Sequence, residues 1–156
     1  MPHPTIQEGS KGPAVKLAQT RLNQRKVVAT PLAIDGDFGP ITKAAVDADQ
    51  KARSGNVPLA LSPDFNLNRD DIVGLRTWFR LDPEVIKLHS HNLYVKLCQE
   101  LLNLNGTMPK LTVDSDFGPL TETAVKKFQQ GHKDFNNVQL VDDGIVGIRT
   151  WAALNS

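Results

Sequence analysis

The sequence predicts an all-α protein that consists of two tandem copies of a small three-helix bundle. Three observations lead to this prediction: the chain repeats itself, its apolar residues follow helical spacing, and prolines and glycines stand where helices should begin. With 156 residues and 40% hydrophobic content, the chain has room for one ordinary domain or two small domains with packed cores. No segment shows the sustained alternation that indicates a β-strand.

The internal repeat consists of three blocks that occur twice in the same order. These blocks are residues 15–23 and 95–103, then 35–42 and 114–121, then 70–78 and 143–151. The offset falls from 80 to 79 and then to 73, so the first copy carries an insertion of six residues. The segment from Ser54 to Asp64 is rich in turn residues and is predicted to be a surface loop. We place the two domains at residues 1–84 and 85–156.

The first helix of each copy is predicted from apolar residues at helical spacing, such as Val15 and Leu22. Gly12 and Pro13 suit the start of this helix in the first copy. Asn92 suits the cap of its counterpart in the second copy.

The second helices are predicted to run from Pro40 to about Ala52 and from Pro119 to about Gly131. Proline lacks a backbone donor and has a preset φ, and both properties suit the first position of a helix. The third helices are predicted to start near Leu75 and Ile148, each after an Asp-rich turn, and to carry the tryptophans.

Charge and cysteine content exclude several classes of function. Lys and Arg number 18 and Asp and Glu 17, without long runs of one sign, so a nucleic-acid partner is not expected. Cys98 is the single cysteine, and it matches Ala18 in the repeat, so we interpret it as a core residue. Residues 1–5 lack the features of a signal peptide, and no apolar run is long enough for membrane insertion.

Several motifs occur in a fixed order in both copies, most clearly in the second. They are Asp-x-x-Phe-Gly-Pro-x-Thr at 114–121, Ala-Val at 124–125, Phe-Gln at 128–129 and Asp-Gly-Ile-Val-Gly-x-x-Thr-Trp-x-x-Leu at 143–154. This set resembles the peptidoglycan-binding-domain family, and the two copies cover nearly the whole chain. The resemblance implies a helical bundle with a surface groove for cell-wall polymer, usually as an accessory to lytic or wall-remodelling enzymes.

The two copies depart from the family pattern at different positions. The first copy has Asp71 where the family favours glycine, and it has Asp49 where the second copy has Phe128. The second copy has Ser115 at another glycine position. We therefore regard the first copy as the more divergent one.

The Phe-Gly-Pro-x-Thr segments are the first candidate binding elements. Free amides at a helix start, together with a hydroxyl, suit the carboxylates of stem peptides. The alternative is structural: phenylalanine in the core, glycine in the turn, proline at the helix start and threonine as a first-turn cap.

The Arg-Thr-Trp segments allow two interpretations as well. They could hold a carboxylate and stack on a sugar, or anchor the third helix through a buried ring. The candidate ligand-binding residues are Asp116, Phe117, Gly118, Pro119, Thr121 and Arg149 in the second copy, and Asp37, Phe38, Gly39, Pro40, Thr42 and Arg76 in the first.

No metal site or other cofactor is predicted. A calcium loop that starts at Asp35 or Asp114 would need glutamate at its twelfth position, where the sequence has Val46 or Val125, so we predict turn bonds for these aspartates. The His89–His91 pair has no further zinc ligand at a suitable spacing.

The chain also lacks the common catalytic motifs, and we predict a non-enzymatic protein. The favoured hypothesis is a tandem binder of peptidoglycan, through stem peptide or glycan, in which two weak sites gain avidity. It would act at the bacterial cell wall or in the periplasm, together with a lytic enzyme or exported protein. Two alternatives are an assembly module of a phage or an injection or secretion system, and a fragment separated from a catalytic domain.

Overall fold

The computed structural model describes residues 3–54 and 67–155, and these residues form six helices. The helices are α1 (Pro13–Arg25), α2 (Pro40–Arg53), α3 (Leu75–Leu81), α4 (Leu93–Leu104), α5 (Pro119–Gly131) and α6 (Ile148–Leu154). Within the described ranges, extended pairing is limited to isolated β-bridges such as Ile6 with Val73 and Ile86 with Val146. The all-α prediction is confirmed. Most of the predicted insertion loop, residues 55–64, lies outside the described residues.

The chain divides into two compact units, Met1–Asp82 and Pro83–Ser156, which we call unit 1 and unit 2. Each unit contains three of the six helices. The division lies two residues before the boundary that the sequence repeat indicated. None of the described helices has the length and apolar character needed to cross a bilayer.

The helix starts follow the predicted chemistry. Gly12, Gly39 and Gly118 are N-caps, each followed by a proline in the first turn. Asn92 caps α4 through its side chain, which accepts a hydrogen bond of 3.2 Å from the Val95 backbone N–H. These local signals explain why the predicted and observed helix starts agree.

The core of each unit lies between its three helices. A buried tryptophan on the third helix is part of this core and forms a hydrogen bond with the start of the unit. In unit 1, Trp78 donates its indole N–H to the Pro4 carbonyl at 2.8 Å. In unit 2, Trp151 donates to the Glu84 carbonyl at the same distance. Both rings are almost fully buried, so the interpretation of the tryptophans as anchors of the third helix is confirmed. Cys98 is also buried, as predicted.

Candidate ligand-binding groove

Each unit contains two copies of the same loop, which we call the Asp loop. The four Asp loops are residues 35–42, 70–77, 114–121 and 143–150, each with aspartate first, glycine fifth and threonine last. In every loop the aspartate Oδ1 accepts a hydrogen bond of 2.8–3.0 Å from the backbone N–H two residues later. These contacts confirm the predicted turn bonds at Asp35 and Asp114. The sequence prediction did not include this second repeat, in which the same loop occurs twice within each unit. The shared pattern Asp-x-x-x-Gly-x-x-Thr would have revealed it.

A buried glutamine on the preceding helix holds each Asp loop. The four glutamines are Gln19, Gln50, Gln99 and Gln129. The Nε2 of Gln99 donates to Asp114 Oδ1 (2.8 Å), to the Asp116 carbonyl (3.0 Å) and to Thr121 Oγ1 (3.2 Å). Its Oε1 accepts the backbone N–H groups of Asp114 and Ser115, both at 3.1 Å. Because the buried amide of Gln99 is satisfied entirely by groups of the loop, these hydrogen bonds favour this loop conformation.

The second residue of each Asp loop has a left-handed backbone conformation. Its φ is 79° at Gly36, 60° at Asp71, 66° at Ser115 and 77° at Gly144. A glycine adopts this region without strain, whereas a residue with a side chain does so at an energetic cost. This geometry explains why the family favours glycine at this position. Asp71 and Ser115 depart from that pattern and adopt the same backbone conformation.

A groove of about 240 Å³ lies beside the third Asp loop, in unit 2. Its floor includes Gln99 and Thr121, and the start of α5 forms one side. The connection between α4 and α5, residues 107–112, also lines the groove. Further lining residues are Asp114, Asp116, Gly118, Pro119, Leu120, Thr123, Ala124 and Lys127.

Four of the six predicted site residues of the second copy line this groove: Asp116, Gly118, Pro119 and Thr121. Asp116 and Pro119 are exposed, whereas Thr121 is buried and accepts the bond from Gln99. Thr121 and Thr42 were expected as first-turn caps in the structural interpretation, and this expectation is corrected, because their helices have no side-chain cap hydrogen bond.

Two predicted site residues of the second copy lie elsewhere. The ring of Phe117 has no exposed surface and packs in the core. Arg149 lines a different groove, formed around the fourth Asp loop, and its guanidinium lies 3.2 Å from Asp134 Oδ2. The expectation that Arg149 shares a surface with Thr121 is therefore corrected, because the two residues belong to different Asp loops.

The first copy repeats this arrangement around the first Asp loop. Phe38 is fully buried and Thr42 is buried, where it accepts a bond of 3.1 Å from Gln19. Asp37 is exposed and forms an ion pair of 2.6 Å with Lys11. Gly39 is partly exposed, and Pro40 and Arg76 are exposed. The candidate residues with exposed surface in unit 1 are thus Asp37, Gly39, Pro40 and Arg76.

Carboxylates in the unit 2 groove are engaged with the protein. The pKa of Asp114 is lowered, first by the hydrogen bond from Gln99 and then by the Asp116 backbone N–H. Asp116 Oδ1 lies 3.2 Å from His91 Nδ1. The groove also contains Lys110 and Lys127, which the sequence did not single out because no motif marks them.

The interior of unit 1 differs from that of unit 2 at the helix ends. Asp49 is buried and pairs with Arg53 at 2.6 Å and with Arg25 at 3.4 Å. The pKa of Arg25 is lowered to about 9, chiefly by burial and also by the neighbouring charges of Arg53 and Arg80, while Asp49 raises it. In unit 2 the residues that match Asp49 and Arg53 are Phe128 and His132, whose rings stack at 3.9 Å. The divergence of the first copy is therefore a buried ionic cluster in place of an aromatic pair.

Comparison with known proteins identifies the family. A sequence model of the peptidoglycan binding domain matches residues 11–57 and 92–154, which together are more than two thirds of the chain. The chain belongs to this family. The resemblance found in the sequence motifs is confirmed, and the matched ranges fall in both units of this peptidoglycan-binding-domain protein.

Individual relatives match parts of larger proteins. The chain is 50% identical over 48 residues to the zinc D-Ala-D-Ala carboxypeptidase of Streptomyces albus G, which is 31% of this chain and 19% of that protein. The crystal structure of Burkholderia AP3 phage endolysin aligns with 84% of this chain and 40% of its own, with 18% identity and a TM-score of 0.41. The match thus spans about a fifth of the carboxypeptidase and less than half of the endolysin.

Proposed function

We propose that this protein binds bacterial peptidoglycan without modifying it and that the groove of unit 2 is its principal binding site. Membership of the peptidoglycan binding domain family supports the ligand class. The observation that carries the choice of site is the coincidence of the groove with Asp116, Gly118, Pro119 and Thr121, the family-motif residues of the closer-matching copy. Phe117 and the Gln99 network would shape the groove from beneath, and Arg149 would not contact the same ligand.

The physical character of the groove supports a binding role. Leu120 is 75% exposed and Met108 is 71% exposed, so a ligand that covers them removes apolar surface from water. The floor is held by buried hydrogen bonds, which limits the conformational entropy lost on binding. An open, rigid groove of this small volume suits weak binding to a repetitive polymer. A second binding site on the same chain would then increase the overall affinity through avidity.

Two observations on the described residues support a non-enzymatic role. In the described part of the chain, no group of three His, Cys, Asp or Glu residues is arranged to hold a metal ion. The thiol of Cys98 is buried, and burial raises its pKa, so it is not available as a nucleophile. We propose that any lytic activity belongs to a partner or to a catalytic domain that this protein brings to the wall.

Sedimentation with purified, protein-free sacculi tests the proposed site. Leu120→Glu places a charge in the groove at the second position of α5, where an acidic residue is compatible with the helix dipole. Its matched control is Ile41→Glu, at the same position of α2 and 77% exposed. We expect Leu120→Glu to reduce binding about tenfold, a loss of about 1.4 kcal/mol, and Ile41→Glu to reduce it less.

If both variants bind as tightly as the wild-type protein, neither the unit 2 groove nor the equivalent surface of unit 1 is a binding site. A larger loss in Ile41→Glu would move the principal site to unit 1. If the wild-type protein binds no sacculi from walls of different chemistry, the proposed function fails. The assembly-module hypothesis would then be tested by searching for a protein partner.

A further inference from the structure

Two lysines flank the groove of unit 2 without a carboxylate partner among the described residues. Lys110, in the α4–α5 connection, and Lys127, on α5, both line the groove and are exposed. The segment that carries Lys110 is held in place by Asn103, which donates to the Leu111 carbonyl at 2.9 Å and accepts the Leu111 N–H at 2.8 Å. Lys127 lies on α5. The backbone that carries each lysine is therefore held in place, by hydrogen bonds to Asn103 for Lys110 and by the helix for Lys127.

The carboxylates of the groove contact groups other than these lysines. Asp114 Oδ1 accepts bonds from Gln99 and from the Asp116 backbone, and Asp116 Oδ1 faces His91. The lysine ammonium groups therefore remain available for charge-assisted hydrogen bonds to an anionic ligand.

The remaining wall of the groove is aliphatic. Its exposed apolar residues are Met108, Pro109, Pro119 and Leu120, and none of the described residues that line the groove is aromatic. A ring face is the usual surface for stacking a sugar, as considered above for the tryptophans. In unit 2 the large rings of Phe117 and Trp151 are instead buried in the core.

The first copy lacks both lysines. Leu32 and Asn23 form the same pair of hydrogen bonds as Leu111 and Asn103, so Pro31 matches Lys110. Ala48 occupies the position in α2 that Lys127 occupies in α5. The cationic pair is thus a feature of unit 2 that the duplicated fold does not require.

We propose that the groove of unit 2 binds the peptide part of peptidoglycan rather than its glycan strand. Lys110 and Lys127 hold a carboxylate of the stem peptide, while Met108 and Leu120 cover a small aliphatic side chain beside it. The proposal rests on the proposed function and adds the class of ligand group and the residues that select it. Charge complementarity and the aliphatic wall both favour a short anionic peptide over an uncharged sugar face.

The test compares three ligands: intact sacculi, peptide-free glycan strands, and a soluble stem peptide free of sugar. The glycan strands are released from sacculi by an amidase and coupled to beads, with the lactyl carboxylates that the hydrolysis leaves capped as amides. We expect the wild-type protein to bind intact sacculi, to bind the glycan beads much more weakly, and to be displaced from sacculi by the soluble peptide. Lys110→Gln/Lys127→Gln should weaken binding to intact sacculi and to the peptide by about fivefold or more. Lys110→Arg/Lys127→Arg should retain binding, because the charge remains.

The matched control is Lys87→Gln/Lys133→Gln, which removes the same charge from two exposed positions of unit 2 outside the groove. A similar loss in this control would show a nonspecific charge effect and overturn the assignment of Lys110 and Lys127. Undiminished binding to the peptide-free glycan beads would overturn the peptide proposal, although the proposed wall-binding function would stand. Failure of the wild-type protein on intact sacculi would instead remove the proposed function itself.

Discussion

Gln99 Nε2 lies 3.2 Å from Thr121 Oγ1, and this contact joins α4 to the first turn of α5 beneath the groove. The same Gln–Thr contact recurs at 3.1–3.2 Å in the other three Asp loops. Each unit is therefore built from two repeats of one polar connection between consecutive helices. The floor of the candidate binding site is one of these connections, so fold stability and groove shape depend on the same residues.

Replacing Gln99 with alanine should strongly destabilise unit 2. The substitution removes the five hydrogen bonds of the amide and leaves the backbone N–H groups of Asp114 and Ser115 without their acceptor. We expect it to lower the free energy of unfolding by about 2–4 kcal/mol. Gln130→Ala is the control, because Gln130 is exposed and its side chain donates a hydrogen bond of 2.9 Å to the exposed Asp142. Urea unfolding followed by NMR signals of unit 2 measures both. Equal stability of the two variants would contradict the role assigned to Gln99.

Ser115→Gly should stabilise unit 2, since Ser115 has a φ of 66° that favours glycine. We expect a gain of about 0.5–1 kcal/mol after the greater entropy of glycine in the unfolded chain is included. Gly144→Ala is the comparison variant, and we expect it to destabilise unit 2. Gly144 has a φ of 77°, and a Cβ there would lie 2.9 Å from Glu122 Cγ. Thermal unfolding of both variants checks the prediction, and a lower midpoint for Ser115→Gly would refute it.

Asp49→Asn should destabilise unit 1, because it removes the buried carboxylate that pairs with Arg25 and Arg53. Loss of one partner from a buried ionic cluster leaves uncompensated charge and typically costs about 3–5 kcal/mol. The control is Asp47→Asn on the same helix, which breaks an exposed pair with Arg69 and should cost less than about 1 kcal/mol. Chemical unfolding monitored through unit 1 signals distinguishes the two. Similar, small effects would mean that Asp49 contributes little to stability.

Acid should weaken unit 2 through Asp114. Hydrogen bonds from Gln99 and the Asp116 backbone lower the folded-state pKa of this carboxyl below 3.8, its ordinary value. The stabilisation is therefore complete above that value and is lost as the pH falls through the lower, folded-state pKa. The urea midpoint of unit 2 should decrease as the pH falls below about 4, and the slope should be smaller in Asp114→Asn. An unchanged slope in that variant would assign the acid sensitivity to other groups.

Cys98 should be inert in the folded protein. The thiol is fully buried, and burial raises its pKa, so very little thiolate is present near neutral pH. We expect no reaction with a disulfide reagent under native conditions and one thiol per chain in denaturant. The absorbance of the released chromophore measures this ratio. Rapid labelling of the native protein would show that the core around α4 opens readily.

The helices, their starts and the family could be predicted from sequence because their signals are local or repeated. Proline after glycine marked α2 and α5, an asparagine cap marked α4, and ordered motifs carried the family resemblance. The residues next to each helix start, and the order of the motifs along the chain, are sufficient for these predictions, so no tertiary contact has to be known.

Which motif residues share a surface was decided only by the tertiary structure. Thr121 is the last residue of one Asp loop and Arg149 is the next-to-last residue of another, and they line different grooves. Met108, Lys110 and Lys127 carry no motif, and they line one groove because the α4–α5 connection, which carries Met108 and Lys110, folds against α5, which carries Lys127. Contacts between residues distant in sequence depend on packing in three dimensions, and the spacing of residues along one chain does not specify them.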